Sequence, residues 1–145
     1  MIENIEANGI LYAIVIRSHY HKEGITFVTP NELSQQLAYM HHPKGKVIDA
    51  HVHNAVPRQV VYTQEVLLIR KGKLRVDFYD EQQFYFESHI LNEGDTILLI
   101  RGGHGFEVLE EIEMIEVKQG PHIGEKDKTR FTGVEKQAIR ICKSN

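Results

Sequence analysis

Between residues 47 and 118 the sequence is a succession of short segments rich in β-branched, aromatic and other apolar residues. Each segment is bounded by glycine, proline, asparagine, aspartate or charged residues, a pattern typical of strands joined by turns, and Lys71-Gly72-Lys73 predicts a tight hairpin. The predicted strands cover residues 47–53, 59–70, 74–79, 84–91, 96–100, 105–109 and 112–118. Such a series predicts an all-β sandwich or barrel. A jelly roll would remove the exposed edges that a simple meander leaves.

The N-terminal part of the chain predicts a hairpin followed by the one short helix of the fold. Residues 9–18 and 25–28 form the two predicted strands, with a turn between them. Thr29 is expected to cap a helix that begins at Pro30 and ends near Met40. A short helix therefore precedes the β-rich part.

Length and composition are those of one globular domain, with 145 residues, 41% of them hydrophobic and 26% charged. We expect a single domain over residues 1–145. Within it, the hairpin and helix occupy 1–44, the barrel core 45–118 and a polar C-terminal segment 119–145.

Charge and cysteine usage limit the partners and the compartment. A net charge of −3 gives no electrostatic footprint for nucleic acid or for an anionic membrane. No apolar run is long enough to span a bilayer, and no basic, apolar leader is expected at the start. The single cysteine, Cys142, cannot form an intrachain disulfide, which fits the cytoplasm, and its thiol is interpreted as inert.

Candidate metal ligands occur on three of the predicted strands. His51 and His53 are two positions apart, so both imidazoles point to the same face of a strand. Glu65 and His104 each alternate with apolar residues, which places them on inward faces of their strands. Buried imidazoles and carboxylates need partners, and a metal ion supplies them. These four residues predict a site for a divalent transition metal.

Two longer motifs resemble those of the cupin superfamily. The first motif matches at Gly45, His51, His53, Glu65 and Gly72. Residues 94–106, which open with Gly-Asp and close with His-Gly-Phe, resemble the second. The resemblance covers residues 45 to 118. It implies a double-stranded β-helix, the jelly-roll cupin barrel, whose lumen holds Mn, Fe, Ni or Zn.

A cupin resemblance implies a scaffold and a range of chemistries rather than one reaction. The leading expectation is a metal-dependent enzyme that acts on a small polar metabolite, such as a sugar or a sugar-derived keto compound. Lewis-acid catalysis of the isomerase or epimerase type would then be the reaction. Three alternatives stay open: an Fe(II)-dependent dioxygenase, a metal-free sugar-nucleotide isomerase or epimerase with a histidine as base, and a non-catalytic ligand-binding or sensor module. No catalytic residue is assigned.

Some apolar residues of the predicted strands face away from the predicted lumen and need cover: Ile48, Val66, Leu68 and Leu98. A homodimer would cover them, and so would the helix or the N-terminal hairpin. His89 is interpreted as an ordinary satisfied strand residue. The apolar residues of the tail either dock on the barrel or add a strand: Phe131, Ile139 and Ile141.

Overall fold

The computed structural model describes residues 1–143 and is nearly all β, with 46% of residues in strands and 4% helical. The strands are β1 Ile2–Ala7, β2 Ile10–Ile16, β3 Gly24–Phe27, β4 Ala38–His41, β5 Glu65–Tyr79, β6 Tyr85–Asn92, β7 Thr96–Leu99 and β8 Gly103–Lys118. Two 3₁₀ helices come after β8, at Gly124–Asp127 and Lys136–Ala138. The predicted all-β class is confirmed. No helix within residues 1–143 has the length and apolar character that a membrane crossing requires.

Six of the strands form one antiparallel sheet in the order β1-β2-β7-β5-β6, and β8 also pairs with β5. The first part of β5 therefore lies between β7 and β8, and its second part lies between β6 and β8. A strand that changes partners along its length has to bend, and the sheet curls into an antiparallel half-barrel. Strands β3 and β4 make a separate two-stranded ribbon.

The bend in β5 is centred on Gly72. The pairing of β5 with β8 is irregular between Ile69 and Leu74, as in strand bulges, which bend and twist a sheet. Gly72 has φ +87°, and a Cβ there would lie 2.0 Å from the carbonyl oxygen of Glu111. Only glycine tolerates both the backbone conformation and the close approach. The predicted hairpin at residues 71–73 is wrong, because β5 continues through this point as one bent strand.

The core lies on both faces of the sheet. The larger cluster contains Leu67, Ile69, Val76 and Phe78 of β5, together with residues from β1, β2, β6 and β7. A second cluster covers the other face: Ile14, Val66, Leu98 and Ile100, against which Ile2, Leu11, Val28, Leu33 and Leu37 pack. The N-terminal segment thus covers Val66 and Leu98. A dimer interface was the alternative that the sequence left open for these residues.

The predicted helix from Pro30 to Met40 is wrong. Residues 31–35 form turns and bends, and β4 begins at Ala38. Leu33 and Leu37 bury their side chains on the second core cluster, and the hydroxyl of Thr29 accepts a hydrogen bond from the Leu37 amide at 3.2 Å. This segment therefore forms turns and bends in place of the predicted helix, because tertiary packing of Leu33 and Leu37 outweighs the local helix propensity.

The segment between β4 and β5 also departs from the predicted pattern. Residues 47–53 form no strand, and residues 43–63 are all exposed. The predicted strands at 105–109 and 112–118 merge into the single strand β8. Because residues 47–53 are not in a sheet, alternation does not place their side chains on an inward face.

A buried ion-pair network joins β1 to the residues that follow β2 and precede β7. The guanidinium of Arg17 is 4% exposed and pairs with Glu3 at 2.7 Å and with Asp95 at 2.8 Å. It also donates to the carbonyl of Ile90 at 2.7 Å. Asp95 accepts further bonds from backbone amides, so every charge in the network has several partners. Hydrogen bonds and ion pairs of this kind offset the cost of removing a charged group from water.

Candidate functional site

A groove with a volume of about 1040 Å³ opens where the start of β5, the start of β8 and the C-terminal segment meet. Its floor carries Glu65 and His104, and its rim carries Arg101, Lys128 and Arg130. Small-molecule sites are commonly concave regions of this size with a few polar groups that converge. The groove is therefore the first candidate for a binding or catalytic site.

Glu65 and His104 face each other inside this groove. The Nε2 atom of His104 lies 3.3 Å from Oε2 of Glu65, and the ammonium of Lys118 lies 3.7 Å from Oε1. Hydrogen bonding to His104 lowers the pKa of Glu65; burial opposes this shift, and the charges of His104 and Lys118 add to it. The carboxylate is therefore held ionised beside an imidazole, the arrangement that orients a histidine for proton transfer.

The two side chains meet only because the sheet curls. In the ribbon of β5 and β8, Glu65 pairs with Lys118 and His104 pairs with Phe78 at the other end. Thirteen residues of straight strand would separate Glu65 from Phe78 by roughly 43 Å. The bend at Gly72 and the short β7–β8 connection, which starts beside Glu65 at Leu99, bring the ends together. The register places both side chains on the face that carries the larger core cluster.

The groove is lined by aromatic rings and by charged side chains of both signs, with the cations Arg101, Lys128 and Arg130 beside the carboxylates of Asp80, Glu81 and Asp127. The guanidinium of Arg101 lies 5.4 Å from the centre of the Tyr62 ring, and its Nε atom is buried without a hydrogen-bond partner among residues 1–143. Buried donors are almost always paired, so the Arg101 Nε atom lacks the acceptor that its burial calls for. Nearby, Tyr12 donates to Glu81 at 2.7 Å, and its burial and that carboxylate raise its pKa to about 12.

The structure brings together two of the four predicted metal ligands. Glu65 and His104 are in contact, whereas His51 and His53 lie in the exposed segment between β4 and β5. Their rings pack edge to face at 5.2 Å, and His51 Nδ1 lies 2.9 Å from the carbonyl of Asp49. The four residues as placed do not fit one metal ion, since their ligand atoms do not converge in the described part of the chain. The ligand atoms do not converge because residues 47–53 form no strand that would direct the two histidines toward Glu65. The four-ligand site stays a prediction.

A different ligand group forms at the edge of β6. Ligand atoms of Glu87, His89 and Cys142 lie within 4.8 Å of one another, the one such group of three found in the described residues. His89 Nε2 lies 3.0 Å from Glu87 Oε1, and the Cys142 thiol donates to Glu87 Oε2 at 3.2 Å. Burial and the nearby Glu87 carboxylate raise the pKa of Cys142.

Sequence reasoning missed this group, because it interprets His89 as an ordinary strand residue and Cys142 as inert. One signal was available: Glu87 and His89 have the same two-residue spacing as His51 and His53, so they share a strand face. No local pattern links either residue to Cys142, which approaches β6 only through the fold of the tail.

Comparison with known proteins gives no match: no family model fits the sequence, and neither curated proteins nor solved structures show significant similarity. The chemistry of this chain is therefore inferred from the geometry of the two clusters.

Proposed function

We propose that the groove is an acid–base site for a small, polar, anionic metabolite, with His104 as the general base in an isomerase- or epimerase-type reaction. The observation that carries the proposal is the contact between His104 and the ionised Glu65 on the floor of a large groove. This function corresponds to the metal-free isomerase or epimerase among the alternatives that the sequence leaves open.

The roles of the two residues result from their charges. Histidine is the side chain most often used to move a proton near neutral pH. When His104 takes a proton from a carbon next to a carbonyl, it becomes a cation 3.3 Å from a carboxylate that stays ionised. Glu65 would stabilise that cation and hold the ring in place, as the carboxylate partner of a catalytic histidine does. Returning the proton to a neighbouring position or to the other face gives isomerisation or epimerisation.

The cations of the groove, which lie among the carboxylates of Asp80, Glu81 and Asp127, offer an anionic group on a substrate specific places to bind. Arg101, Lys128 and Arg130 line it, and Lys118 approaches the Glu65 carboxylate. Such groups attract a carboxylate or phosphate and stabilise the negative charge that develops on an enolised carbonyl. Tyr62, beneath the Arg101 guanidinium, offers a flat apolar surface for the ring of a sugar or a base.

The test is solvent hydrogen exchange. The full chain is incubated in D₂O with a panel of keto sugars and keto acids that carry a phosphate or carboxylate, and deuterium next to the carbonyl is measured by NMR. We expect exchange with at least one member and its loss in His104→Gln. His122→Gln is the matched control, since His122 is exposed and does not line the groove.

Exchange that survives unchanged in His104→Gln would overturn the assignment of the base. Tight retention of a panel member without exchange by the wild type would instead identify a ligand-binding module.

A metal-dependent form of this site is the second candidate. The exposed segment that carries His51 and His53 continues into residues 61–63, which line the groove beside Glu65. The cupin resemblance assigns these histidines, with Glu65 and His104, as ligands of a Lewis-acidic ion. Metal analysis of untagged protein separates the two forms. A stoichiometric metal that is lost in both His51→Gln and His53→Gln would favour the metal-dependent form.

A further inference from the structure

The C-terminal tail is fixed against β6 immediately beside Glu87 and His89. Ile141 forms a parallel bridge with Ser88, whose amide donates to the Arg140 carbonyl at 2.9 Å and whose carbonyl accepts from the Cys142 amide at 2.8 Å. The hydroxyl of Tyr85 accepts a further bond from the Arg140 amide at 2.8 Å. These bonds hold the backbone of Cys142 in register with β6, and they fix the position of its thiol beside Glu87.

The spacing of the three ligand atoms suits a small divalent cation. Glu87 Oε1 lies 3.0 Å from His89 Nε2, Glu87 Oε2 lies 3.2 Å from Cys142 Sγ, and all three ligand atoms fall within 4.8 Å. In a tetrahedral zinc site, bond lengths of about 2.0–2.3 Å separate ligand atoms by roughly 3.3–3.8 Å. The three ligand atoms are therefore close enough to one another for one ion to bind between them after the side chains adjust.

His89 supplies an observation of a different kind. The residue is 8% exposed, and its Nδ1 atom is buried without a hydrogen-bond partner in the described residues. The nearest carboxylate to that atom in an ion-pair contact is Glu3, at 3.9 Å. A histidine that binds a metal through one ring nitrogen normally donates the other N–H to a carboxylate, which fixes the tautomer. Glu3, itself anchored by Arg17, lies where that acceptor is needed.

We propose that Glu87, His89 and Cys142 form a binding site for a zinc-class divalent cation, with Glu3 orienting the histidine. Thiolate, imidazole and carboxylate together are a donor set that zinc accepts, and three protein ligands leave one position for water. Binding releases the thiol proton from Cys142 to solvent and replaces the Cys142–Glu87 hydrogen bond with two metal bonds. The ion would join the tail to β6 and to the first strand.

Cobalt(II) titration of the full, untagged chain tests the site. Cys142 is the single cysteine, so a thiolate-to-cobalt charge-transfer band can come from no other residue. We expect a band that saturates at one equivalent and is absent in Cys142→Ser. In Glu3→Gln the affinity should fall about 10- to 100-fold, as for other residues that orient a metal-bound histidine. His104→Gln and His53→Gln should leave the band unchanged, which separates this site from the groove.

Thermal unfolding gives a second readout that does not depend on colour. Zinc should raise the Tm of the wild type and leave the Tm of Cys142→Ser unchanged, while circular dichroism confirms that the variant is folded. The proposal is wrong if no charge-transfer band forms at millimolar cobalt, or if His89→Gln binds cobalt with the same affinity as the wild type. The three residues would then only hold the tail against β6 by hydrogen bonds.

Discussion

The groove and the edge of β6 contain the same pair of residue types in different surroundings. Glu65 and His104 are 3.3 Å apart, and Glu87 and His89 are 3.0 Å apart. In the sheet, Glu87 and His104 flank Phe78 in one cross-strand row, so the two pairs lie on one face with a buried ring between them. The groove pair faces an open cavity lined by charged side chains of both signs, whereas the β6 pair faces a thiol and a second carboxylate. Surroundings, not the pair itself, suit one to proton transfer and the other to ion binding.

The strongest test of this comparison is to remove each of the two histidines separately and to measure both hydrogen exchange and cobalt binding. His104→Gln should reduce hydrogen exchange by about 10²- to 10⁴-fold, the usual contribution of a general base. His89→Gln should leave exchange within a factor of two while removing cobalt affinity. Equal loss of exchange in both variants, each folded by circular dichroism, would show that the two pairs act as one site.

Replacing Gly72 tests whether close packing at the bend of β5 maintains the curl of the sheet that brings Glu65 and His104 together. Gly72→Ala places a methyl group 2.0 Å from a backbone oxygen at a positive φ, and we expect a loss of about 3 kcal/mol or more in urea unfolding. Gly9→Ala is the matched control, since Gly9 has φ +75° with nothing within 4 Å of the added methyl group. Its cost should be about 1–2 kcal/mol.

If Gly72→Ala and Gly9→Ala cost the same, close packing at the bend does not maintain the curl. In that case the meeting of Glu65 with His104 must depend on other contacts.

The docked tail can be weakened on its own. Tyr85→Phe removes the hydroxyl that bonds to the Arg140 amide and to Ser88 Oγ, both at 2.8 Å, and should cost about 1 kcal/mol in unfolding. It should also weaken cobalt binding without changing exchange in the groove. Tyr20→Phe is the control, because its hydroxyl bonds to no residue in the described part of the chain. Unchanged cobalt affinity in Tyr85→Phe would separate tail docking from the ion site.

The smallest expected effect is a pH dependence that belongs to the groove. The folded pKa of Glu65 lies below its usual 4.5, so its ionised form stabilises the fold above pH 4.5, and this contribution is lost as pH falls through the lower folded value. Tm curves of wild type and Glu65→Gln should therefore differ most near neutral pH and converge on acidification. Curves that stay parallel down to pH 3 would mean that Glu65 gains nothing from its partners.

The positions of several strands were predictable from local sequence because alternation and turn residues act over a few positions. Residues 84–91 and 96–100 matched β6 and β7 to within one residue. The predicted helix at 30–40 failed because Leu33 and Leu37 gain more from the sheet face than from helical hydrogen bonds. The strand at 47–53 failed because the sheet supplies it with no partner.

The sequence by itself determined the β-rich class, the residue types that can bind or move protons, and the strand face on which Glu65, His104, Glu87 and His89 lie. Only the tertiary structure decided which of them meet. The bend at Gly72 joins Glu65 to His104, and the docked tail carries Cys142 to a histidine 53 residues earlier. Periodicity is a local property of the chain, whereas these encounters depend on strand bending and loop closure over long separations, which no short pattern encodes.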